Sequence, residues 1–386
     1  MCGITGIVAQ NAKNYEMRAR AMNNCIAHRG PDGDGLHVFN HCALGHRRLS
    51  IVDRAGGAQP MLAQNNTVGI VFNGEIYGFK EIRKELESVN DSSGGYTFLT
   101  NSDTEVILAL YEKHGSDFVK KLPGMFAFGL WDDKTETFIA ARDRFGEKPF
   151  YYAFGPTGEL IFASEIKSII ASGLIQPIID RNSIVHYLRR LYVHPTKTIY
   201  KNIFTLPPAH VLVYKNGSVH ISRYWSMPDI NPSLSIDEAL PEFKRLLDNA
   251  VRKQLVADVP VGAFLSGGID STTVVSIAST LSPKIKTFSF GYEGTKNELS
   301  YAAMAAKQFG TDHYELHDHN HNIADLILQM ADIYDEPLAD SSTISTYLIS
   351  KLTREHTTVV LSGDAGDELL GGDKGKYRPL FNMTDS

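Results

Sequence analysis

The sequence predicts two domains of different fold class: an α+β domain over residues 2–225, and an α/β domain with a doubly wound parallel sheet over residues 236–386. The length of 386 residues exceeds that of one average domain. Short apolar runs separated by Gly, Asn and Asp dominate the first part, whereas strand and helix patterns alternate in the second. Residues 226–235 contain two prolines and three serines without hydrophobic periodicity, which predicts a linker.

In the first domain, strand patterns outnumber helix patterns. The predicted strands are 44–52, 67–72, 125–131, 137–141 and 160–163. The predicted helices are 17–26, 79–87, 103–114 and 183–190. A strand-rich region with a few interspersed helices is typical of a layered α+β domain with antiparallel sheets.

The second domain has the alternation of strands and helices that produces parallel sheets. Strands are predicted at 259–265, 285–290, 313–316 and 358–361, and helices at 236–255, from about Ser271, and at 298–309, 323–333 and 342–356. Right-handed crossovers between the strands then give a doubly wound sheet. A strand order of 3-2-1-4 makes the first and fourth strands neighbours, and ligands bind at the carboxyl ends of such strands.

Composition and charge argue against several classes of protein. The formal net charge is −6 and no run of Lys and Arg is longer than two, so we expect no nucleic-acid partner. No apolar stretch approaches the length of a membrane span and no signal peptide is visible, so we expect no membrane partner. The cysteines Cys2, Cys25 and Cys42 lack the number and spacing of a disulfide framework or a zinc site. These features predict a cytoplasmic protein.

The second residue is a candidate nucleophile. Removal of Met1, which is common before small side chains, would leave Cys2 with both a thiol and a free α-amine. An α-amine has an ordinary pKa of about 7.7–8.0 and can accept the proton of its own thiol. This is the chemistry of N-terminal nucleophile enzymes. From position alone, the alternative is that a cysteine follows Met1 by chance.

Other residues of the first domain supply the groups that a glutamine-like substrate needs. Arg48 has the planar fork that binds a carboxylate. The carboxylates of Asp103 and Glu75 can bind an ammonium group. An amide attacked by a thiolate needs two donors for its oxyanion, and the Asn73 side chain and the Gly74 backbone N–H can supply them.

Each of these groups also has a purely structural interpretation. Asn73-Gly74 is typical of a hairpin turn, and Asp103 is typical of a helix N-cap. His28 lies in the turn-rich segment AHRGPDGDG, and we interpret it as part of a structural turn. Spacing alone leaves these alternatives open.

Two loops of the second domain have the composition of a phosphate site. The strand 259–265 leads into SGGIDS, residues 266–271, directly before a predicted helix. Glycines, hydroxyls and a helix N-terminus together favour a bound anion, although a plain Ser/Gly-rich connection is the alternative. The strand 358–361 leads into SGDAGDE, residues 362–368. Magnesium binds oxygen ligands and substrate phosphates, so Asp270 and Asp367 are the candidate ligands.

A series of segments in residues 2–225 resembles the class II glutamine amidotransferase domain of glutamine-hydrolysing asparagine synthetases. In order they read MCGITGI, HRGPDGDG, HRRLSIVD, FNGEIY, NSDTEVIL, LPGMFAFGLWD, ARDRFGEKPFYY and FASEIKSI. In the second domain, SGGIDS resembles the pyrophosphate loop of ATP pyrophosphatases, and SGDAGDELLGG resembles an asparagine synthetase motif.

This resemblance implies the fold and the roles of particular residues. The first domain would be the four-layered αββα sandwich of N-terminal nucleophile (Ntn) hydrolases, and the second an ATP-pyrophosphatase-like domain. Cys2 would be the nucleophile and Asp364 a catalytic acid or base. The implied glutamine-binding residues are Arg48, Ile51, Val52, Asn73, Gly74, Glu75 and Asp103, with Ile51 and Val52 contributing mainly backbone. The implied ATP-binding residues are Leu265, Ser266, Gly267, Gly268, Asp270, Ser271, Phe290, Ser362 and Gly363.

The resemblance also implies the reaction and its participants. Glutamine, aspartate and ATP would be the substrates, ATP and Mg²⁺ the cofactors, and asparagine, AMP, diphosphate and glutamate the products. A homodimer is one assembly that the resemblance allows. The segment 335–350 would place Asp340, Ser341 and Ser342 near the acyl acceptor. The alternative for Asp335, Glu336 and Asp340 is a solvated helix edge.

The chain departs from the family pattern after the second motif, where it reads GGDKGKYRPLFNMTDS. Family members continue into a helical subdomain with a lysine that stabilises adenylation, and Lys374 and Lys376 are not at equivalent positions. We therefore expect an incomplete second domain in a fragment, a frameshifted product or a shortened paralogue. The alternative functions are a glutaminase alone, an amidotransferase for a sugar or peptide carboxylate, and a non-catalytic regulatory protein.

Overall fold

The computed structural model describes residues 1–88, 95–231, 233–291, 298–317, 323–340, 342–370 and 372. These residues form two compact units. The first unit contains Met1–Ile230 together with Gln329–Asp340. The second contains the described residues of Asn231–Leu328 and those from position 342 onward. One short segment of the sequence's second half therefore belongs to the first unit.

The first unit is built on two antiparallel sheets. Its strands are β1 (Gly3–Val8), β2 (Gly33–Val38), β3 (Cys42–Arg48), β4 (Met61–Leu62), β5 (Val68–Ile76), β6 (Gly124–Asp132), β7 (Thr137–Arg142), β8 (Tyr151–Phe154), β9 (Leu160–Ala163), β10 (Ile203–Thr205), β11 (His210–Lys215) and β12 (Ser218–Arg223). One sheet has the order β10-β8-β9-β1-β3-β2 and the other β12-β11-β7-β6-β5-β4. Each pair of neighbouring strands is antiparallel.

Helices α1 (Glu16–Cys25) and α4 (Ile166–Ala171) cover the outer face of the first sheet, and α2 (Phe79–Glu87) and α3 (Asp103–His114) cover that of the other. Helix α5 (Arg181–Arg190) is mostly exposed. Short 3₁₀ turns lie at Ala12–Tyr15, Ala27–Arg29 and Gly115–Lys121. One core lies between the sheets, a second packs α1 and α4 on the first sheet, and a third packs α2 and α3 on the other. This is the αββα sandwich that the resemblance implied, and the fold prediction is confirmed.

Strand β1 lies at the centre of this sandwich and follows Cys2 directly. All six of its residues are buried, because one face meets the other sheet and the opposite face meets the helical layer. It pairs with β3 from Gly3↔Arg47 onward and with β9 from Thr5↔Ala163 onward. Cys2 is thus fixed at one end of a fully buried strand of the first sheet.

The remaining elements alternate as the sequence predicts. They are α6 (Ile236–Gln254), β13 (Val261–Phe264), α7 (Ile269–Leu281), β14 (Lys286–Gly291), α8 (Leu299–Phe309), β15 (Asp312–His317), α9 (Ile323–Ile333), α10 (Ser342–Thr353), β16 (Val359–Leu361) and α11 (Gly366–Leu370). The sheet is parallel, with the order β15-β14-β13-β16. The predicted order 3-2-1-4 is confirmed. No helix among the described residues is long and apolar enough to cross a membrane.

Two predicted strand boundaries are wrong at the places that matter for the site. The strand predicted at 44–52 ends at Arg48, and the following residues form a loop. The strand predicted at 67–72 continues to Ile76, because Asn73 and Gly74 pair with β6 in register with Ala127 and Phe126. The hairpin turn considered for Asn73-Gly74 is therefore wrong, since tertiary pairing overrides the local turn preference of these two residues.

Candidate active sites

The thiol of Cys2 lies in a cleft of the first unit. Its Sγ accepts a hydrogen bond from the Leu49 N–H at 3.4 Å and lies 3.6 Å from the Leu49 carbonyl oxygen. Burial raises the pKa of this thiol, and the nearby carboxylates of Glu75 and Asp103 raise it further, although the Leu49 hydrogen bond opposes them. A thiol in this environment needs a base before it can attack a substrate.

Asn73 and Gly74 line the same cleft from the interior of β5. Asn73 is 1% exposed, and its side-chain Nδ2 has no hydrogen-bond partner among the described residues. An unpaired buried donor is costly, so it marks a position where a ligand acceptor would be stabilised. At Gly74 an added Cβ would clash with the Met125 carbonyl, so only glycine fits this close strand pairing.

Asp103 is the first residue of α3, and the preceding Ser102 is the N-cap, with its side chain accepting from the Thr104 N–H. The N-cap interpretation of Asp103 is therefore wrong. Its carboxylate instead accepts the Ile76 N–H at 3.0 Å, which ties α3 to the end of β5. Burial raises the pKa of Asp103 to about 6, although backbone hydrogen bonds oppose the change. Glu75 lines the cleft beside it.

Arg48 organises the loop that follows β3. Its Nη2 donates to the carbonyl oxygens of Asp53 at 2.6 Å and Val52 at 3.2 Å, and its Nη1 donates to that of Arg54 at 3.0 Å. The loop therefore folds around the guanidinium, which explains why the strand stops at Arg48. Ile51 and Val52 line the cleft from this loop. The structure thus brings together all seven residues that the resemblance assigns to glutamine, and Cys2 with them.

The SGGIDS loop of the second unit joins β13 to α7. Gly267 has a φ of +84°, a backbone conformation that favours glycine. The Ser266 Oγ accepts the Gly268 N–H at 3.2 Å and lies 3.0 Å from the Ser271 Oγ, which in turn accepts the Ser266 N–H. Gly268 is the N-cap of α7, so the loop presents a helix N-terminus with two serine hydroxyls beside it.

The SGDAGDE loop after β16 packs against the start of α7. A Cβ added to Gly363 would lie 2.6 Å from the Ser271 backbone N, and one on Gly366 would lie 2.5 Å from the Asp270 carboxylate. Asp364 accepts a hydrogen bond from the Ser362 hydroxyl at 3.0 Å. The two loops are neighbours because β13 and β16 are parallel neighbours, which is the juxtaposition that the strand order predicted.

Comparison with known proteins identifies the family of the chain. Residues 1–225 match the family model of the glutamine amidotransferase domain, and residues 242–385 match that of asparagine synthase. The chain belongs to the glutamine-hydrolysing asparagine synthetase family. The family prediction is thereby confirmed.

Relatives with this name are similar over nearly the whole chain. The chain is 37% identical to a Methanocaldococcus jannaschii protein provisionally named asparagine synthetase [glutamine-hydrolyzing] 2, over 96% of the chain and 75% of that protein. It is 36% identical to asparagine synthetase [glutamine-hydrolyzing] 1 of Bacillus subtilis, over 98% of the chain and 60% of that protein. A solved glutamine phosphoribosylpyrophosphate amidotransferase from B. subtilis is 18% identical, with a TM-score of 0.43, over 81% of the chain and 65% of that structure.

The sequence analysis did not predict several residues that line the cleft. Gln59 accepts the Phe72 N–H at 2.6 Å and donates to the Thr104 hydroxyl at 3.3 Å, so it joins β5 to α3. Lys148 is buried, which lowers the pKa of its amine, and its Nζ lies 3.4 Å from the Met1 Sδ. A lysine within the otherwise apolar run KPFYY was the available signal for it. The others are Leu49, Gly57, Phe72, Ser102, Thr104 and Met125.

A cavity of about 390 Å³ lies beside the SGGIDS loop. Of the residues assigned to ATP, Leu265, Ser266 and Phe290 line it. The others, Gly267, Gly268, Asp270, Ser271, Ser362 and Gly363, lie in the two loops and are not part of its lining. Ser342 of α10 also lines the cavity, whereas Ser341, Lys374 and Lys376 lie outside the described residues.

The donor set for a magnesium ion is small. In the part of the chain that the structure describes, no group of three or more His, Cys, Asp or Glu residues could hold a metal ion. Asp270 lies against Gly366, and Asp367 lies against Gly372. Magnesium on a nucleotide typically takes one or two carboxylates, with phosphate oxygens and water completing its shell. Asp270 and Asp367 have the oxygen donors that such a site uses, and their role as ligands stays a prediction.

The alternative of a solvated helix edge is wrong for Asp335 and Glu336. Helix α9 ends at Ile333, and both side chains are largely buried in the first unit. Asp335 accepts hydrogen bonds from the Ile166 and Lys167 N–H groups, and Glu336 accepts the Ile199 N–H at 2.6 Å. His28 lies 2.9 Å from the Glu165 carboxylate, in the turn where we had interpreted it as structural.

Proposed function

We propose that this chain carries out the glutamine-dependent synthesis of asparagine. In this proposal glutamine is hydrolysed at Cys2, and the ammonia released attacks an aspartate that ATP has activated. The observation that carries the proposal is the buried, unpartnered Asn73 amide in the same cleft as the Cys2 thiol. A thiol beside a preformed oxyanion donor is an arrangement for acyl transfer from an amide.

The glutamine half-reaction begins with the loss of a proton from Cys2. Because burial raises the pKa of the thiol, a nearby base is required, and removal of Met1 would expose an α-amine that can serve. The sulfur attacks the side-chain amide carbon, the carbon–nitrogen bond breaks, and the amine returns its proton to the departing ammonia. Water then hydrolyses the thioester to glutamate. Met1 also lines the cleft, so its removal would open space for the substrate.

The surrounding residues bind and orient the substrate. The Asn73 Nδ2 and the Gly74 N–H would donate to the oxyanion as it forms. Arg48 would pair with the α-carboxylate and Asp103 and Glu75 with the α-ammonium, while Ile51 and Val52 would supply backbone contacts. Hydrogen bonds already hold Arg48 and Asp103 in place, so these side chains need not reorganise when the substrate binds. Such positioning before binding favours catalysis.

In the second unit, ATP would lie between the 390 Å³ cavity and the SGGIDS loop. Leu265 and Phe290 would contact the base, residues 266–271 the pyrophosphate, and residues 362–363 the opposite side. The aspartate β-carboxylate would attack the α-phosphate, which releases diphosphate, and ammonia would then displace AMP to give asparagine. Asp364 would act as acid or base in the second step. Asp270 and Asp367 would hold Mg²⁺, which would neutralise phosphate charge when bound.

The remaining expectations are part of the same proposal. Sparse, unpaired cysteines and the net charge of −6 support a cytoplasmic protein without a nucleic-acid or membrane partner, and a homodimer stays open. The relatives that the chain matches include proteins of which it spans 60–75%. We therefore present the complete synthesis, its substrates and its cofactors as a proposal to be tested on this chain.

Cys2→Ala tests the proposal directly. We expect the glutaminase rate to fall by at least about a thousandfold, because the nucleophile is lost. Diphosphate release with ATP, Mg²⁺, aspartate and ammonia should be retained. The matched control is Cys25→Ala, since Cys25 is a free, half-buried cysteine that does not line the cleft.

Three outcomes would contradict the proposal in distinct ways. Loss of both glutaminase activity and ammonia-dependent diphosphate release in Cys2→Ala would contradict the proposal that the two reactions occur at separate sites. Glutamine hydrolysis without diphosphate release in the wild type would show a glutaminase alone. An intact mass that retains Met1 in the active protein would rule out the Cys2 α-amine as the base.

A further inference from the structure

A chain of charged contacts runs from the backbone of Cys2 into the first unit. The Arg29 Nε donates to the Cys2 carbonyl oxygen at 2.9 Å, and the Arg29 Nη1 donates to Glu165 Oε1 at 2.8 Å. Both side chains are close to buried, at 10% and 12% exposure. Arg29 therefore holds the residue that carries the nucleophile, and Glu165 holds Arg29.

The chain continues through a lysine to the segment at 329–340. The Lys167 Nζ lies 3.3 Å from Glu165 Oε2 and 3.3 Å from Asp335 Oδ1. The other Asp335 oxygen accepts the Ile166 and Lys167 N–H groups, so its position is fixed by the backbone of α4. We call Arg29, Glu165, Lys167 and Asp335 the ion-pair chain.

The charges of Glu165 and Lys167 are stabilised by their partners in the ion-pair chain, whereas burial raises the pKa of Asp335 although Lys167 opposes the change. Burial alone would raise the pKa of Glu165, but Arg29 and His28 outweigh it and hold the pKa below its ordinary value. The carboxylates of Asp335 and Glu165 raise the pKa of Lys167 despite its partial burial. Such a network is sensitive to the loss of one member, because each remaining buried charge then has fewer partners to hold it in place.

Asp335 is also set apart by its place in the sequence. It lies in Gln329–Asp340, which belongs to the first unit, although the residues before and after it belong to the second. Helix α10 begins shortly afterwards at Ser342, and Ser342 and Ser345 line the 390 Å³ cavity. The glutamine cleft is thus supported by a residue from the polypeptide that leads directly into the nucleotide cavity.

We infer that Asp335 is a positioning residue of the glutamine site, acting on Cys2 through Lys167, Glu165 and Arg29. Asp335 holds the Lys167 Nζ, and Lys167 in turn holds Glu165 Oε2, so the loss of the Asp335 charge leaves Glu165 less firmly placed against Arg29. Arg29 then holds the Cys2 carbonyl less firmly, and the nucleophile is misplaced. Glutamine hydrolysis thereby depends on the conformation of the segment that precedes α10. This inference rests on the proposed role of Cys2.

Asp335→Asn in the full chain tests the inference. The asparagine Oδ1 can still accept the Ile166 N–H, so the variant removes the charge and keeps the anchor. We expect the glutaminase kcat to fall about tenfold while the glutamine KM stays within twofold, because misplacement of a reacting group lowers the chemical rate. Lys167→Met should have a similar effect, and the double variant should be no worse than the poorer single variant, since both act through one network. Lys167→Arg keeps the charge, and its kcat should stay within threefold of the wild-type value.

The matched control is Glu159→Gln. Glu159 is also a buried carboxylate of the first unit, bound by Tyr15 and Thr157, but it directly precedes β9 at the far end of β1 from Cys2. We expect its kcat and KM to stay within twofold of wild type. Amide hydrogen exchange of the peptide at residues 2–8 gives a second readout without activity. Exchange should be faster in Asp335→Asn and Lys167→Met and unchanged in Glu159→Gln.

The inference is overturned if Asp335→Asn changes neither kcat nor exchange by more than twofold, or if the losses in the double variant multiply. An equal loss in Glu159→Gln would also overturn it, because the effect would then be a general consequence of losing a buried charge. If the wild type has no glutaminase activity, the proposed function fails, and the exchange comparison alone then decides the inference.

Discussion

The proposed glutamine cleft and the proposed nucleotide site of this chain are built in contrasting ways. The cleft takes its groups from buried strands and a helix start: Cys2 before β1, Asn73 inside β5, and Asp103 at the head of α3. The nucleotide site takes its groups from loops that follow two parallel strands. The first depends on side chains held in low-dielectric surroundings, and the second on backbone N–H groups and glycines.

This contrast determines which substitutions each site tolerates. In the cleft, burial changes the protonation behaviour of the thiol and of Asp103, so the chemistry depends on individual side chains. In the nucleotide site, the close approach of two loops leaves no room for a Cβ at Gly363 or Gly366. We therefore expect side-chain truncation to be most damaging in the cleft and added bulk to be most damaging in the loops.

The largest effect after Cys2 should come from Asn73→Ala. Loss of one oxyanion donor typically lowers kcat by about 10²–10³-fold, and the described residues give the Asn73 Nδ2 no competing hydrogen bond. Glutaminase kinetics would show this as a fall in kcat with little change in KM. Ammonia-dependent diphosphate release should be unchanged. A loss confined to KM would indicate a substrate-binding role and would contradict the role of Asn73 as an oxyanion donor.

Asp103→Asn should lower kcat/KM for glutamine by about a hundredfold, because a buried charge partner of the substrate ammonium is lost. In the wild type, kcat/KM should decline below about pH 6 as Asp103 takes up a proton, and this decline should be missing in the variant. A pH profile that is the same in both proteins would contradict the assignment.

The same variant has a predictable effect on stability. The folded pKa of about 6 lies above the ordinary value of 3.8, so the folded chain binds the proton more tightly than the unfolded chain. Stability from this group is complete at low pH and is lost as the pH rises through about 6. Asparagine cannot ionise, so Asp103→Asn should raise Tm at pH 7.5 and have little effect on Tm near pH 4. A lower Tm at pH 7.5 would show that the Ile76 hydrogen bond outweighs the burial of charge.

A smaller effect is expected from Gly363→Ala in the nucleotide site. The new Cβ would lie 2.6 Å from the Ser271 backbone N, so the start of α7 would have to shift. We expect the KM for ATP in diphosphate release to rise about tenfold, with glutaminase activity within twofold of wild type. Gly268→Ala is the graded comparison, because among the described residues its Cβ would meet the Ser266 hydroxyl alone, at 3.3 Å. Equal effects of the two substitutions would argue against a backbone-determined site.

The sequence predicted the placement of the two loops of the second unit better than that of the cleft residues. Parallel strands with crossover helices place their ligand loops at one edge, so the order of β13 to β16 was sufficient to make SGGIDS and SGDAGDE neighbours. Antiparallel sheets have no such rule. Local preference indicated a turn at Asn73 and a cap at Asp103, and only the pairing of β5 with β6 shows their actual places.

The sequence analysis did not predict strands β1 and β2 of the first unit, and the reason is similar. Strand β1 contains two glycines and β2 begins in a Gly- and Asp-rich turn, so neither has a strong strand pattern, and burial on both faces compensates. The family resemblance supplied the cleft residues that spacing could not. Neither approach indicated that Asp335 would be buried against α4, because that contact joins residues far apart in the sequence.

The discontinuity of the first unit has a consequence for dividing this protein. A polypeptide cut within residues 226–235 would contain every side chain of the cleft and would still lack Asp335 and Glu336. Lys167 would then lose a carboxylate partner, and the Ile199 N–H would lose its acceptor. A polypeptide that ends at the linker would therefore lack a dozen residues of its own unit that lie far downstream in the sequence, and we expect joining sequences at the linker to destabilise the first unit.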